Sequence, residues 1–474
     1  MTLQKEVGAT LDFVIGGVPR GGTTFFSLLL NGHPDVYSYF METGLFRYAN
    51  MLANEHPIPS ENIPKIRDWL KEEFRHQLVG GSKPKVVNKF RRLQHYFDEL
   101  EKYGLSEPSG PGLRVFDEQK MLSFLDGFLE LLNNQYYGRE LLLRSSALIR
   151  TYMSGVTERK VIGEKTPDNI YIFNDLCEAD TNLKTIAIVR EPYTTLRSFT
   201  ARSNKSNRLS DLIFPTKINL AIGEYLKCIQ TISELKHSTP DNSFYSYRYE
   251  DLLQDPGPIV ADFHKNIGLA YNENALAFAQ KIVSPFPSKK ISDSFDNNQI
   301  YLIRKILGSQ MREYGYNQEH YDEDIFSLKT DMQCAKPTVM PLYGLTEMQS
   351  SDDYEFTSGF SSVDSSFFLI FPSSIKNINI GISLTEPKKM LGMSVSIKIE
   401  CNDINVADTV LSSDEGLRNI SVNIDDINVD NFGKNALCCI LKFTAGSSFR
   451  PVQHKGMGLD MRDFAFMINS IVLV

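Results

Sequence analysis

The chain has one tryptophan and six cysteines among 474 residues. The cysteines are Cys177, Cys228, Cys334, Cys401 and the adjacent pair Cys438 and Cys439, and none sits at CxxC spacing. Six thiols scattered over so long a chain make no disulfide framework, so reduced thiols in a cytoplasmic protein are expected. HExxH is also missing, and no histidine stands at metal-like spacing to a cysteine or carboxylate, so no metal is expected. No apolar run is long enough to span a bilayer. The first residues, MTLQKEVGATLDF, combine no charged start with an apolar run and a cleavage site, so no signal peptide is expected. Lysine and arginine number 50 against 58 acidic residues, a net charge of -8, which argues against a dedicated nucleic-acid binder. Repeats and low-complexity segments are absent.

What is present is a globular composition, 42% hydrophobic, at a length that favours two or three domains. From about residue 11 to 330, short apolar strands alternate with helical patterns, as in an α/β sheet. LDFVIGGV, KTIAIVREP and NSFYSYRYEDLL read as strands, and TTFFSLLLNG as the helix after the first, stopped by Gly32 and Pro34. Residues 57–160 read as a helical insertion broken by LSEPSGPGLRV. After about residue 335 the texture becomes β-branched and alternating, in NINIGISL, MSVSIKIE, ISVNID, ALCCILKF and FMINSIVLV. That is the pattern of a β-sandwich or jelly roll. The expected organisation is therefore an α/β domain over 1–330, a linker over 331–342 and an all-β domain over 343–474.

The first strand runs into Gly17, Val18, Pro19, Arg20, Gly21, Gly22, Thr23 and Thr24, and then a helix. Backbone N–H groups of a glycine-rich turn, feeding the positive end of a helix, form a generic anion site. An ATP-binding loop would carry lysine where Thr23 stands, and here only Arg20 supplies a charge. On its own the turn is equally a tight strand-to-helix connection with no ligand.

The wording GGVPRGGTTFFSLLLNGHPDV resembles the 5′-phosphosulfate loop of sulfotransferases that use 3′-phosphoadenosine 5′-phosphosulfate (PAPS). That family's usual loop reads Pro-Arg-Ser-Gly-Thr-Thr, so Gly21 departs from it by one hydroxyl. Three further islands are similar to the same family, which the likeness covers from roughly Leu11 to Tyr316. In IAIVREPYTTLRSFTAR, Arg190 and Ser198 match the arginine and serine that hold the 3′-phosphate, and Arg202 lies a helical turn further on. In VIGEKTPDN, Lys165 matches the lysine that faces the transferred sulfuryl group. In YRYEDLLQDP, Tyr249 matches a nucleotide contact, while Glu250 and Asp251 read as turn residues. The resemblance implies PAPS as co-substrate, no metal, and cofactor contacts from Arg20, Gly21, Gly22, Thr23, Thr24, Arg190, Ser198, Arg202 and Tyr249.

A hydroxyl acceptor needs a general base. Glu42, in DVYSYFMETGLFRY, lies where family members carry their catalytic glutamate, with Arg20 and Lys165 expected to stabilise the transferred group and the leaving phosphate. His33 is the rival base, and it reads more simply as the cap of the turn after the helix. Ser288, Lys289 and Lys290 are candidates for a covering loop within 284–298, or for a solvated turn. The tail FRPVQHKGMGLDMRDFAFMINSIVLV resembles the closing strand of accessory β-domains of bacterial glycosyltransferases, with Asp460 and Arg462 as a structural ion pair. That company points to a carbohydrate or glycoconjugate acceptor by fold analogy alone. Tyrosine, phenol and small alcohols remain open as acceptors. An ATP-using kinase and a glycan-binding protein with a decayed transferase domain are the competing functional classes.

Overall fold

In the computed structural model the described residues are 7–39, 41–79, 96, 98–103, 116–203, 218–240, 242–282, 295–316, 337–349, 358–385, 388, 392–432, 436–447, 450, 453 and 465–474. The chain divides into two compact units. The first holds Met1–Glu191, Cys228–Ser288 and Val452–Asp460; the second holds Pro192–Lys227, Lys289–Pro451 and Met461–Val474.

The first unit is built on a five-stranded parallel sheet: β1 Phe13–Gly17, β2 Val36–Tyr39, β3 Val161–Lys165, β4 Lys184–Val189 and β5 Phe244–Arg248, in the order β2-β3-β1-β4-β5. Strand β1 is buried along its whole length, as a central parallel strand covered on both faces must be. It pairs with β3 through Ile15 opposite Lys165 and with β4 through Gly17 opposite Ile188. Helix α1 (Thr23–Leu30) follows β1, and α2 (Leu45–Ala53) follows β2. Phe13, Phe26 and Phe263 meet edge to face in the layer between sheet and helices.

The expected helical insertion contains α3 (Ile63–Phe74), α4 (Glu118–Asn133) and α5 (Gly138–Ser154), while the loop read in LSEPSGPGLRV lies outside the described residues. Asp117 starts α4 by accepting the Lys120 backbone N–H at 2.8 Å. Phe74, Phe116, Phe124 and Tyr152 join α3, α4 and α5 through stacked and edge-on rings. Beyond β3 come α6 (Phe173–Ala179), α7 (Pro192–Ser203), α8 (Ile218–Ser238), α9 (Tyr249–Gln254), α10 (Pro256–Asn266), α11 (Glu273–Ile282) and α12 (Asn297–Glu313). Helix α12, read from sequence as the close of the α/β domain, groups with the second unit, as do α7 and the first half of α8.

Among the described residues the second unit carries nine antiparallel strands: β6 Thr338–Gln349, β7 Ser358–Pro372, β8 Asn377–Ser383, β9 Val395–Cys401, β10 Ile404–Leu411, β11 Arg418–Asn423, β12 Asp430–Asn431, β13 Ala436–Ala445 and β14 Phe466–Leu473. The five strands read from alternation are all present. Strand β6 starts at Thr338, inside the stretch read as linker, because it pairs antiparallel with β7 from Thr338 opposite Ile370, and Asn219 of α8 also donates to the Pro341 carbonyl at 2.8 Å. Among the described residues these strands are hydrogen-bonded into one sheet. They follow one path, β10-β9-β13-β7-β14-β8-β11, with β6 on β7 and β12 on β13. Its two ends approach each other: Arg418 of β11 donates to Thr409 Oγ1 and, at 3.0 Å, to the Val410 carbonyl of β10. The near-barrel encloses an apolar core that includes Phe367, Leu369, Ile380, Ile397, Leu441 and Phe466. Asn402 and Asp403, both at positive φ, form the two-residue turn between β9 and β10.

Candidate functional site

In an open parallel sheet, ligands gather at the carboxyl ends of the strands, where neighbouring connections diverge. Five of the sequence-predicted residues stand on those ends. Arg20 follows β1, Glu42 follows β2, Lys165 closes β3, Arg190 follows β4, and Tyr249 follows β5. No two are close in sequence, and the strand order brings them to one edge of one sheet.

The loop after β1 is held from within. Val18 N–H donates to Ile188 O at 3.2 Å, and Gly21 N–H to Val18 O at 2.7 Å. Two residues adopt left-handed backbone, Arg20 at φ 64° and Gly22 at φ 100°. At Gly22 only glycine fits, because a Cβ there would stand 2.1 Å from the Tyr249 ring. Helix α1 begins with no side-chain cap and no acidic residue in its first turn, which leaves the positive end of the helix for an anion. Thr23 is buried at that start, and Thr24 and Gly22 are half-buried.

Arg190 ties this loop to the start of α9. Its Nη1 donates to the Arg20 carbonyl at 3.1 Å, and its guanidinium lies over the Tyr249 ring, 4.5 Å from the centroid. Burial pushes the Tyr249 phenol up, and the Arg190 charge opposes that shift. Glu250 accepts the Glu191 N–H at 3.1 Å, so it holds the turn after β4, as a turn residue should. Arg20, Gly21, Gly22, Arg190 and Tyr249 thus form one connected group. Ser198 is half-buried in α7, which belongs to the second unit. Arg202 lies in the last turn of α7, and its side chain is outside the described residues. So are Ser288, Lys289, Lys290, Asp460 and Arg462.

Lys165 and Glu42 meet directly, Nζ to Oε1 at 2.8 Å, with the lysine side chain fully buried and the glutamate 47% exposed. A buried ammonium is costly unless it is paired, and Glu42 is its partner. Beneath this pair lies a second carboxylate that the sequence reading passed over. Glu164 is fully buried and accepts from Thr43 Oγ1 at 2.9 Å, Thr166 Oγ1 at 2.6 Å and Asn169 Nδ2 at 2.7 Å. Burial pushes its pKa up, and the three donors pull it back. Asp168 is also raised by burial, opposed by Arg47, whose Nη1 lies 3.2 Å away. The signal for these residues was present: VIGEK puts two charges on a buried parallel strand, where apolar residues belong.

His33 is not part of this group. Its Nδ1 accepts the Asp35 N–H at 3.1 Å, which leaves Nε2 to donate to Ala270 O at 3.3 Å, and its ring packs edge-on against His264. Both ring nitrogens are engaged, so it caps the turn after α1. Among the described residues no three His, Cys, Asp or Glu side chains are gathered to hold a metal ion. No helix there is long and apolar enough to cross a membrane.

A sequence model described as the sulfotransferase family matches residues 12–273. Two curated proteins, the omega-hydroxy-beta-dihydromenaquinone-9 sulfotransferases of Mycobacterium bovis and Mycobacterium tuberculosis, are each 24% identical over 164 residues. That stretch is 34% of this chain and 42% of theirs, so the match spans about two fifths of the length of these relatives. Solved structures similar to the chain include the sulfotransferase domain of the Synechococcus PCC 7002 olefin synthase, at 18% identity and a TM-score of 0.34 over 67% of this chain and 92% of that one. A sulfotransferase from Mycobacterium avium gives 14% identity and a TM-score of 0.38 over 66% and 79%.

Proposed function

Since the chain belongs to the sulfotransferase family, we propose that it moves a sulfuryl group from PAPS to an acceptor hydroxyl. The observation that carries this reading is the Lys165–Glu42 pair at the end of β3, beside the strand whose loop opens at an uncapped helix N-terminus. The residues fit PAPS chemically. The loop from Arg20 to Thr24 presents backbone N–H groups and no carboxylate, as a 5′-phosphosulfate requires. Arg190, fixed on the Arg20 carbonyl and the Tyr249 ring, supplies a planar cation for the 3′-phosphate. Ser198 and Arg202 are proposed to complete that contact.

In the proposed reaction the acceptor oxygen attacks sulfur, its proton passes to the Glu42 carboxylate, and the phosphate–sulfate P–O–S bridge breaks in line. The products are a sulfate ester and adenosine 3′,5′-bisphosphate. Charge grows on the departing phosphate, and Lys165 and Arg20 neutralise it. Every proposed step uses protein side chains alone. The acceptor is proposed to be an alcohol, and a carbohydrate hydroxyl is the first choice, by analogy alone, from the resemblance of the C-terminal tail to the closing strand of glycosyltransferase accessory domains. A second reading takes a hydroxylated isoprenoid, because the curated relatives are named for a hydroxylated menaquinone. A cytoplasmic location is proposed with it, on the five buried free thiols of the described residues. The sequence division is also proposed to hold functionally, with transfer chemistry in 1–330 and an accessory role for 343–474.

Calorimetric titration with adenosine 3′,5′-bisphosphate and with MgATP tests the reading, followed by transfer of labelled sulfate from PAPS to panels of glycans and isoprenoid alcohols. Tighter binding of MgATP than of the bisphosphate would replace it with a kinase.

A further inference from the structure

Glu42 lies in a short connection between β2 and α2, and its own side chain is 47% exposed, so its backbone must be held from elsewhere to keep a base still. Two consecutive pairs of residues face each other here. Glu42 meets Lys165, and Thr43 meets Glu164, so the strand end and the connection are joined by two adjacent rungs. The outer rung is half-exposed and must open when Lys165 turns to a substrate. The inner rung is buried on both sides, with Thr43 and Glu164 both fully enclosed.

From this geometry we infer that Glu164 is a positioning residue, which keeps Glu42 aligned through Thr43 after the ion pair with Lys165 opens. The inference rests on the sulfotransferase reading and deepens it. The hydrogen bonds around Thr43 leave it little choice. Its hydroxyl accepts the Leu45 N–H at 3.3 Å, so its single proton goes to Glu164. Its carbonyl accepts from the Gln77 amide at 3.2 Å, in the amide orientation that also lets Gln77 accept from Tyr48 and Arg47. The following residue, Gly44, turns at φ 66°, and its N–H points to Thr166 Oγ1 at 3.5 Å. Thr166 in turn gives its proton to Glu164. The carboxylate therefore receives three donors, one from the β2–α2 connection and two from the segment after β3. Asn169, on the 3-10 turn Pro167–Ile172, anchors its other oxygen.

Thr43→Val removes the inner rung and keeps volume, and Thr43→Ser keeps the rung. Glu164→Gln would set an amide against Asn169 Nδ2, and adding Asn169→Asp restores a donor–acceptor pair there. The readouts are affinity for adenosine 3′,5′-bisphosphate and release of labelled sulfate from PAPS to water, which needs no acceptor. Thr43→Val and Glu164→Gln are expected to lose about tenfold to 10²-fold in turnover, the range set by small misplacement of a reacting group. Bisphosphate affinity should stay at the wild-type value, and Thr43→Ser and the Glu164→Gln/Asn169→Asp pair should recover most of the rate. Wild-type turnover in Thr43→Val, while Glu42→Gln is inactive, would overturn the positioning role and leave the enzyme reading standing. Absence of bisphosphate binding by the wild-type protein would overturn both.

Discussion

The two units treat buried polarity differently. In the first, Glu164 and Lys165 are consecutive and fully buried at the end of a central strand, with Asp168 and Arg47 beside them. In the second, the core cluster enclosed by the curled sheet is hydrocarbon and thiol, the charged side chains of β9 and β10 face outward, and the fully buried Lys388 donates to a backbone carbonyl, Ser447 O, at 3.0 Å. Buried charge opposes folding unless it is paired and hydrogen-bonded, so a protein keeps it where something else requires it. The juxtaposed buried carboxylate and ammonium of the first unit are what support the proposal of chemistry there and an accessory role for the second.

The largest expected effect is at Glu42. Glu42→Gln preserves size and can still hydrogen-bond Lys165, but it cannot take the acceptor proton. Loss of a general base costs about 10²–10⁴-fold in rate. The fall should appear in kcat, with bisphosphate affinity near wild type by calorimetry. Full turnover in this variant would detach the buried-charge cluster from chemistry and erase the contrast.

Next comes the loop proposed to hold the nucleotide. Arg190→Ala removes a charge-assisted contact, a class commonly worth about 1.5–3 kcal/mol, or roughly ten- to 150-fold in affinity. Gly22→Ala should weaken binding as well, because its Cβ meets the Tyr249 ring at 2.1 Å and its φ of 100° disfavours any side chain. Bisphosphate titration of both variants measures this. Unchanged affinity in Arg190→Ala would remove the 3′-phosphate site.

How far these features could be read in advance depends on their range. Motif residues were legible because their chemistry is local: a glycine turn, an arginine after a strand, a lysine before Thr-Pro. The alternating β-strands were legible because one face is buried and the other wet, as β9 shows residue by residue. Glu164 was not singled out, since its role depends on Thr43, 121 residues away in sequence. Strand β2 was missed for a similar reason: Val36–Tyr39 is four residues long and becomes a strand through pairing with β3. Nor does alternation tell two stacked sheets from one that curls, because each strand sees the same inner and outer faces. The grouping of α7 and part of α8 with the β-unit is likewise a matter of tertiary contact, such as Asn219 on the Pro341 carbonyl.

Titration of His264 should produce a smaller and more general effect. Burial, then the neighbouring His33, lowers its pKa from 6.5 to about 3. The folded state therefore binds fewer protons than the unfolded chain between those values, so stability rises with pH across that window. Below about pH 6.5 it should fall by about 1.4 kcal/mol per pH unit from this residue. Melting temperatures taken from pH 7 to pH 5 should show the slope, and His264→Phe should flatten it. An equal slope in that variant would place acid sensitivity elsewhere.

The smallest effect is expected where the β-unit nearly closes. Arg418 bridges β11 to β10 through Thr409 and Val410, and it also pairs with Glu415 at 2.6 Å. Arginine and glutamate are both about one-third exposed, so water competes for the ion pair and salt screens it. Exposed pairs of this kind contribute about 0.2–1 kcal/mol. The hydrogen bond to the Val410 carbonyl is replaced by water when the side chain is lost. Arg418→Ala should therefore lower the melting temperature by no more than a few degrees, in line with about 1 kcal/mol in a domain of ordinary size. The consequence for the comparison lies in the second measurement, bisphosphate affinity, which should not change. If affinity falls together with the melting temperature, the curled sheet is coupled to the nucleotide loop, and the division between chemistry and support fails at its weakest joint.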